Sequence, residues 1–88
     1  MKRRCQYELI FDLLQIMERE SHLTLKQITE YAHMTEDTAR RPFRAIASAK
    51  LALLSGLTPT DSAIITQRGL QYLATFRNLQ HLMRSGIP

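Results

Sequence analysis

The chain has 88 residues, a net charge of +4 and a single cysteine. This length fits one domain. One cysteine excludes an intrachain disulfide, and the scattered histidines offer no metal-ligand spacing. No apolar run approaches the roughly 20 residues needed to cross a bilayer, and the basic N-terminus lacks the apolar segment of a signal peptide. We therefore expect a cytoplasmic protein that binds no metal, cofactor or membrane.

Positive charge is concentrated in the second half of the sequence. Residues 1–34 carry five basic and five acidic residues, whereas seven basic residues and one acid follow Asp37. Such an asymmetry favours an anionic partner, and nucleic acid is the partner we expect. The alternative is a solvated basic surface that binds no partner.

Apolar residues recur at three- and four-residue spacing between residues 4 and 20, which predicts the first helix. Its main stripe consists of Tyr7, Ile10, Leu13, Leu14 and Met17. Leu9, Phe11 and Ile16 widen the stripe, so we expect other parts of the protein to cover this helix on two sides.

Residues 24–50 predict two helices joined by a short turn. Thr24 and Gln27 have the form of a capping box at the start of the second helix, which is expected to end at His33. Thr35 has the side chain of an N-cap for the third helix. Two short helices joined in this way are typical of a helix-turn-helix.

Three arginines distinguish the outward face of the third helix from its apolar back. Arg40, Arg41 and Arg44 can each bind a phosphate, or a guanine edge, with two hydrogen bonds. This face is therefore suited to DNA. Glu36 and Asp37 are spaced to pair with Arg40 and Arg41 four residues later, so local ion pairing is the alternative role.

Pro42 lies in the middle of the third helix. Proline lacks the N–H that would bond to the Thr38 carbonyl, which costs about 3 kcal/mol in a regular helix. We expect the helix either to kink at residues 39–42 or to end at Arg41 and restart at Pro42. Either outcome would bend the arginine face and favour contacts with the DNA backbone and shape over base-by-base reading.

Two short apolar runs separated by turn-forming residues predict a β-hairpin over residues 51–65. A hairpin that follows a helix-turn-helix describes a wing. Thr58 and Thr60 are its candidate DNA contacts, but no basic residue lies between Lys50 and Arg68. We therefore expect the wing to hold DNA weakly or through shape.

Thr66 is the expected N-cap of a last helix over residues 66–84, roughly 28 Å long. Because this length is large for so small a domain, the far half of the helix would stay in water unless a second chain covered it. We predict a homodimer through this helix; a helix folded back on its own domain is the alternative. The predicted interface residues are Leu73, Phe76, Leu79, Leu82 and Met83.

The order of helix, helix-turn-helix, hairpin and long helix resembles the winged-helix family, which is mainly α with a small β-hairpin. The segment from Arg3 to Leu14 looks like the opening of small archaeal winged-helix proteins, which include ten-kilodalton chromatin-associated dimers and related viral regulators. Residues 65–73, with their Thr-x-x-Gly pattern, look like the family's junction of the second wing strand and the last helix. This resemblance spans nearly the whole chain and implies a DNA-binding dimer joined through an antiparallel coiled coil of C-terminal helices.

The sequence departs from the family's pattern at two positions. The family usually has glycine where Lys50 stands, so we expect the third helix to end less sharply. It usually has an aromatic or aliphatic residue where Pro42 stands. The C-terminal helix is also shorter than is common in the family, so any coiled coil would be short.

We hypothesise a dimeric transcriptional regulator that binds double-stranded DNA. Two alternatives are an architectural, chromatin-like binder with little sequence preference and a winged-helix module that binds protein.

No Gly-rich phosphate loop, Ser/His/Asp spacing or paired carboxylate indicates an enzyme, so no catalytic residue is assigned. Tyr31 and Phe43 are expected in the core. The candidate DNA-binding residues are Thr35, Thr38, Arg40, Arg41, Arg44, Lys50, Thr58 and Thr60.

Overall fold

A computed structural model describes residues 5–85, which form four helices and one antiparallel pair of strands. Their order is α1 (Gln6–Arg19), α2 (Leu25–Tyr31), α3 (Glu36–Ser48), β1 (Ala52–Leu54), β2 (Ala63–Ile65) and α4 (Gln67–Ser85). The prediction of a mainly helical protein with a small hairpin is confirmed. Arg4, the predicted first residue of helix one, lies outside the described residues.

The first helix lies at the centre of the protein and packs against the other three helices and β2. Its two-sided coverage follows the sequence prediction, because Phe11 and Ile16 are buried together with four residues of the main stripe, Ile10, Leu13, Leu14 and Met17. The Phe11 ring stacks on Phe76 of α4, with ring centroids 4.4 Å apart. Close to the same end, the Tyr72 hydroxyl donates a hydrogen bond of 2.8 Å to the Tyr7 carbonyl. These two contacts join the first half of α1 to the first part of α4.

Two tyrosines expected in the interior lie at the surface. Tyr7 is 68% exposed and Tyr31 is 58% exposed, so both predictions are wrong. Tyr7 is in the first turn of α1, and Tyr31 is the last residue of α2. Helical periodicity alone does not show that the neighbouring elements stop short of a helix end.

The predicted N-caps of α2 and α3 are confirmed. The Thr24 hydroxyl accepts from the Gln27 N–H at 3.2 Å, and the Gln27 side chain accepts from the Thr24 N–H at 2.9 Å. Thr35 caps α3 by accepting from the Thr38 N–H at 3.1 Å. These bonds satisfy N–H groups that have no partner inside a helix.

Both α2 and α3 end in a Schellman motif built on a residue other than glycine. His33 and Lys50 have φ values of 57° and 59°, in the left-handed region. After α3, the Leu51 N–H donates to the Ile46 carbonyl at 2.9 Å, and the Lys50 N–H donates to the Ala47 carbonyl at 3.2 Å. The expectation of a less sharp junction at Lys50 is therefore wrong. Burial of Leu51 against the core offsets the strain at Lys50.

Pro42 does not divide the third helix, which runs without interruption from Glu36 to Ser48. Of the two expected outcomes, the restart at Pro42 is therefore wrong, and the kink at residues 39–42 stays a prediction. The Pro42 side chain is among the most completely buried in the protein, and this burial offsets part of the cost of the missing N–H. The arginines of α3 consequently belong to one helix.

The two strands pair with Leu53 opposite Ile64, and both of these side chains face solvent. The hairpin loop (residues 55–62) turns back onto the start of α2. The Leu25 N–H donates to the Asp61 carbonyl at 2.8 Å, and the Lys26 N–H donates to the Pro59 carbonyl at 3.0 Å. The loop is therefore held against α2 by backbone bonds.

The start of α4 is anchored to the end of α3. The Thr66 hydroxyl donates to the Lys50 carbonyl at 2.6 Å and accepts from the Gly69 N–H at 3.2 Å. A Cβ at Gly69 would overlap the Leu51 carbonyl oxygen and the Ile65 side chain. A residue without a side chain is therefore needed for α4 to approach the backbone this closely.

Candidate nucleic-acid interface

The outward face of α3 carries three arginines on one uninterrupted helix. Arg40, Arg41 and Arg44 are all exposed, as are Asp37 and Ser48 on the same side. At 100° per residue these five positions lie within a sector of about 100°. The opposite side is buried in the core through Ala39, Pro42, Phe43 and Ile46.

The three arginines differ in their ion pairing. Arg40 binds Asp37 at 3.0 Å, three residues earlier, and both side chains are exposed. The predicted pairs of Glu36 with Arg40 and of Asp37 with Arg41 are therefore replaced by a different one. No acidic group among residues 5–85 lies within 4.0 Å of Arg41 or Arg44. Two guanidinium groups thus remain available to an anion, and the exposed Arg40 pair is worth at most about 1 kcal/mol.

The first turn of α3 offers one hydroxyl donor. Thr35 accepts from the Thr38 N–H, and its own hydroxyl donates to the Thr38 hydroxyl at 2.8 Å. The Thr38 hydroxyl proton is then free to point away from the helix. Of these two predicted contacts, Thr38 is the better placed to donate to a phosphate.

The donors of Thr58 are used inside the hairpin loop. The hydroxyl and the N–H of Thr58 both donate to Oδ2 of Asp61, at 2.6 and 2.9 Å. The hydroxyl bond from Thr58 is the main cause that lowers the pKa of Asp61, followed by the Thr58 N–H bond. Thr60 is exposed and lies 3.4 Å from the Thr58 hydroxyl. A loop that carries the ionised Asp61 and no cation attracts phosphate weakly.

Lys50 is separated from the arginine cluster. It is exposed at the end of α3, six residues after Arg44, which corresponds to roughly 9 Å along a helix axis. Its carbonyl is bound by Thr66, and its side chain has no ion pair within the part of the chain that the structure describes. Lys50 is therefore a cationic position separate from the arginine cluster.

Sequence reasoning missed Lys26, an exposed cation in the first turn of α2. It lines a cleft together with Glu36 and Arg40 of α3 and Leu57 of the hairpin loop. The available signal was its position two residues after the capping Thr24. In two helices joined by a short turn, this position on the first helix lies close to the second one, so Lys26 is placed near α3.

The predicted interface on α4 divides into buried and exposed parts. Leu73 is fully buried in the core of its own chain, which corrects its assignment to a dimer contact. Phe76 is half-buried against Phe11. Leu79, Leu82 and Met83 are 56%, 55% and 60% exposed.

The end of α1 explains this division of α4. Arg77 binds Glu18 at 2.9 Å, and Glu18 is the residue before the last one of α1. The apolar stripe of α4 therefore continues past the helix that covers its first half. What remains is an exposed apolar end made of Leu79, Leu82 and Met83.

Comparison with protein-family models, with curated proteins and with solved structures gave no significant match. Within residues 5–85, no helix combines the length and the apolar character needed to cross a membrane. The same residues contain no cluster of three or more His, Cys, Asp or Glu side chains able to hold a metal ion.

Proposed function

We propose that this chain is a double-stranded DNA-binding protein, built as a winged helix and acting as a dimeric transcriptional regulator. In this proposal α2 and α3 form the helix-turn-helix, and α3 enters the major groove. The β1–β2 hairpin is the wing. Such a protein would work in the cytoplasm, where it has access to the nucleoid or to viral DNA.

The observation that carries the proposal is the pair of guanidinium groups on α3 that have no ion pair among the described residues. Arg41 and Arg44 project from one exposed side of a helix whose other side is fixed in the core. A rigid support of this kind holds the arginines in register with a groove. Since α3 is not divided at Pro42, a kink at residues 39–42 is the remaining way in which the arginine face would bend and favour backbone contacts. Base contacts by Arg41 and Arg44 fit the proposal equally well.

The hairpin plays a minor part in this proposal. Its loop bonds to α2 and uses the donors of Thr58 internally. Its outward side chains, Leu53 and Ile64, are apolar. We therefore assign most of the phosphate contacts to α3, with Lys50 as a further contact at the helix end.

The dimer is proposed through the exposed apolar end of α4. Leu79, Leu82 and Met83 lie at three- and four-residue spacing, as in the seam of a coiled coil. Pairing around a two-fold axis would bury them without rearranging the core. It would also present two copies of α3 to two half-sites.

The exposed Leu53 and Ile64 favour a second candidate, a module whose hairpin binds protein.

Fluorescence anisotropy distinguishes the regulator, the architectural binder and the protein-binding module. It is measured with a random duplex and with a duplex selected from a library, each at two salt concentrations. A regulator binds the selected duplex more tightly and loses affinity with salt. Equal affinities would instead support the architectural binder, and absence of binding at low salt would reject DNA binding in favour of the protein module.

A further inference from the structure

A cleft of about 110 Å³ opens between α2, α3 and the hairpin loop. Its floor is formed by the buried apolar residues Leu25, Ala39 and Phe43 and by Thr29, whose hydroxyl donates to the Lys26 carbonyl at 2.7 Å. Leu57 and Pro59 of the loop form its outer wall. An apolar cavity of about 150 Å³ holds benzene, so the cleft has room for a smaller aliphatic group. A branched aliphatic side chain has this size.

Charges of both signs surround the opening of the cleft. Lys26 and Glu36 line it, and neither has an ion pair among residues 5–85. Arg40 also lines it but is bound to Asp37 at 3.0 Å. A ligand with only a carboxylate would meet Glu36, and a ligand with only an ammonium group would meet Lys26. A ligand with both groups complements both residues.

The outer wall of the cleft is formed before any ligand arrives. The carbonyls of Pro59 and Asp61 accept from the N–H groups of Lys26 and Leu25, at 3.0 and 2.8 Å. The side chain of Asp61 in turn fixes Thr58, next to Leu57. A pre-formed wall reduces the entropy lost when a small molecule binds.

From this combination we propose that the cleft binds a free apolar amino acid of about the size of leucine. The aliphatic side chain lies on the floor between Phe43 and Leu57. The carboxylate binds Lys26, with Arg40 nearby, and the ammonium group binds Glu36. The site shares Arg40 with the candidate DNA-binding residues but includes neither Arg41 nor Arg44.

Amide correlation spectra of the full chain, recorded by NMR during titration without DNA, test the proposal. The probes are L-leucine, isocaproate, which lacks the amino group, and isoamylamine, which lacks the carboxylate. We expect saturable shifts at residues of the cleft, with each analogue bound about threefold more weakly than leucine, as befits one exposed ion pair. Equal affinity of the three probes, or no saturable shift with leucine, would overturn the proposal.

Two charge-neutral variants assign the two ends of the ligand. Lys26→Gln should weaken leucine binding about threefold and make the affinities for leucine and isoamylamine equal. Glu36→Gln should make the affinities for leucine and isocaproate equal. Glu30→Gln, which removes an exposed acid outside the cleft, is the matched control and should leave all three affinities unchanged. If Glu30→Gln weakens binding as much as Glu36→Gln does, the effect is one of net charge and the assigned site is wrong.

Discussion

The carboxylate of Asp61 accepts two hydrogen bonds from Thr58, one from its hydroxyl at 2.6 Å and one from its N–H at 2.9 Å. The Ser55 hydroxyl donates to the other carboxylate oxygen at 3.1 Å. These bonds close the hairpin loop on itself. They favour the ionised form of Asp61 and hold its pKa below the ordinary value of 3.8.

Removing the strongest of these donors should raise the pKa of Asp61. In Thr58→Val the shape of the side chain is kept and the hydroxyl is lost, so we expect the pKa to move up towards 3.8. Because the folded pKa is the lower one, ionised Asp61 stabilises the fold above pH 3.8. That stabilisation is lost as the pH falls through the folded pKa. Carboxyl carbon titration by NMR measures the change, and an unaltered pKa would show that the hydroxyl is not the cause.

Gly69→Ala should destabilise the protein even though alanine is the better helix former. The added Cβ would overlap the Leu51 carbonyl oxygen and force α4 away from the end of α3. Overpacking of this kind costs about 1–3 kcal/mol. Urea unfolding measures the loss, and Gln71→Ala on the exposed side of α4 is the control, with an expected change below about 0.5 kcal/mol. Stabilisation by Gly69→Ala would contradict the close approach.

His33→Gly should stabilise the fold because His33 has a φ of 57°. A left-handed conformation costs roughly 1–2 kcal/mol for a residue with a Cβ, and part of the gain is offset by the freer unfolded chain. We expect a net gain of about 0.5–1 kcal/mol in the free energy of unfolding. Ala49→Gly is the control, since Ala49 has a φ of −84° and the same replacement should destabilise. A loss with His33→Gly would indicate that the imidazole makes a stabilising contact.

The double variant Leu79→Glu/Met83→Glu should be monomeric. Both side chains are exposed in the single chain, so charge at these positions disturbs only an interface between chains. The double variant Leu53→Glu/Ile64→Glu introduces the same two charges at exposed apolar residues of the hairpin and should leave the dimer intact. Size-exclusion chromatography with light scattering gives the mass. A wild-type monomer, or a double variant that is still dimeric, would remove the proposed interface.

Local signals in the sequence were sufficient for most of the secondary structure. The caps at Thr24 and Thr35 depend on residues three positions away, and the buried stripe of α1 depends on helical spacing alone. Such features need no knowledge of distant contacts. The bounds of the first helix and of the last helix were therefore predicted within two residues.

Features that depend on tertiary packing were not predictable in this way. Burial of the Pro42 ring keeps α3 continuous, and burial of Leu51 compensates the left-handed Lys50. The bond from the Leu25 N–H to the Asp61 carbonyl, which docks the loop on α2, joins residues 36 positions apart. No periodicity or turn signal encodes such a contact. The cleft with Lys26 was missed because it is formed by this docking.

The salt dependence of duplex binding tests the central claim most directly. Each arginine that neutralises a phosphate contributes about 0.9 to the slope of log K against log salt. If both arginines bind phosphates, the double variant Arg41→Gln/Arg44→Gln should bind duplex DNA weakly, and its slope should be smaller in magnitude than that of the wild type by about 1.8. Arg68→Gln, which removes an exposed cation of α4, should retain nearly the wild-type slope. Equal slopes and affinities for the wild type and the double variant would contradict DNA binding through α3.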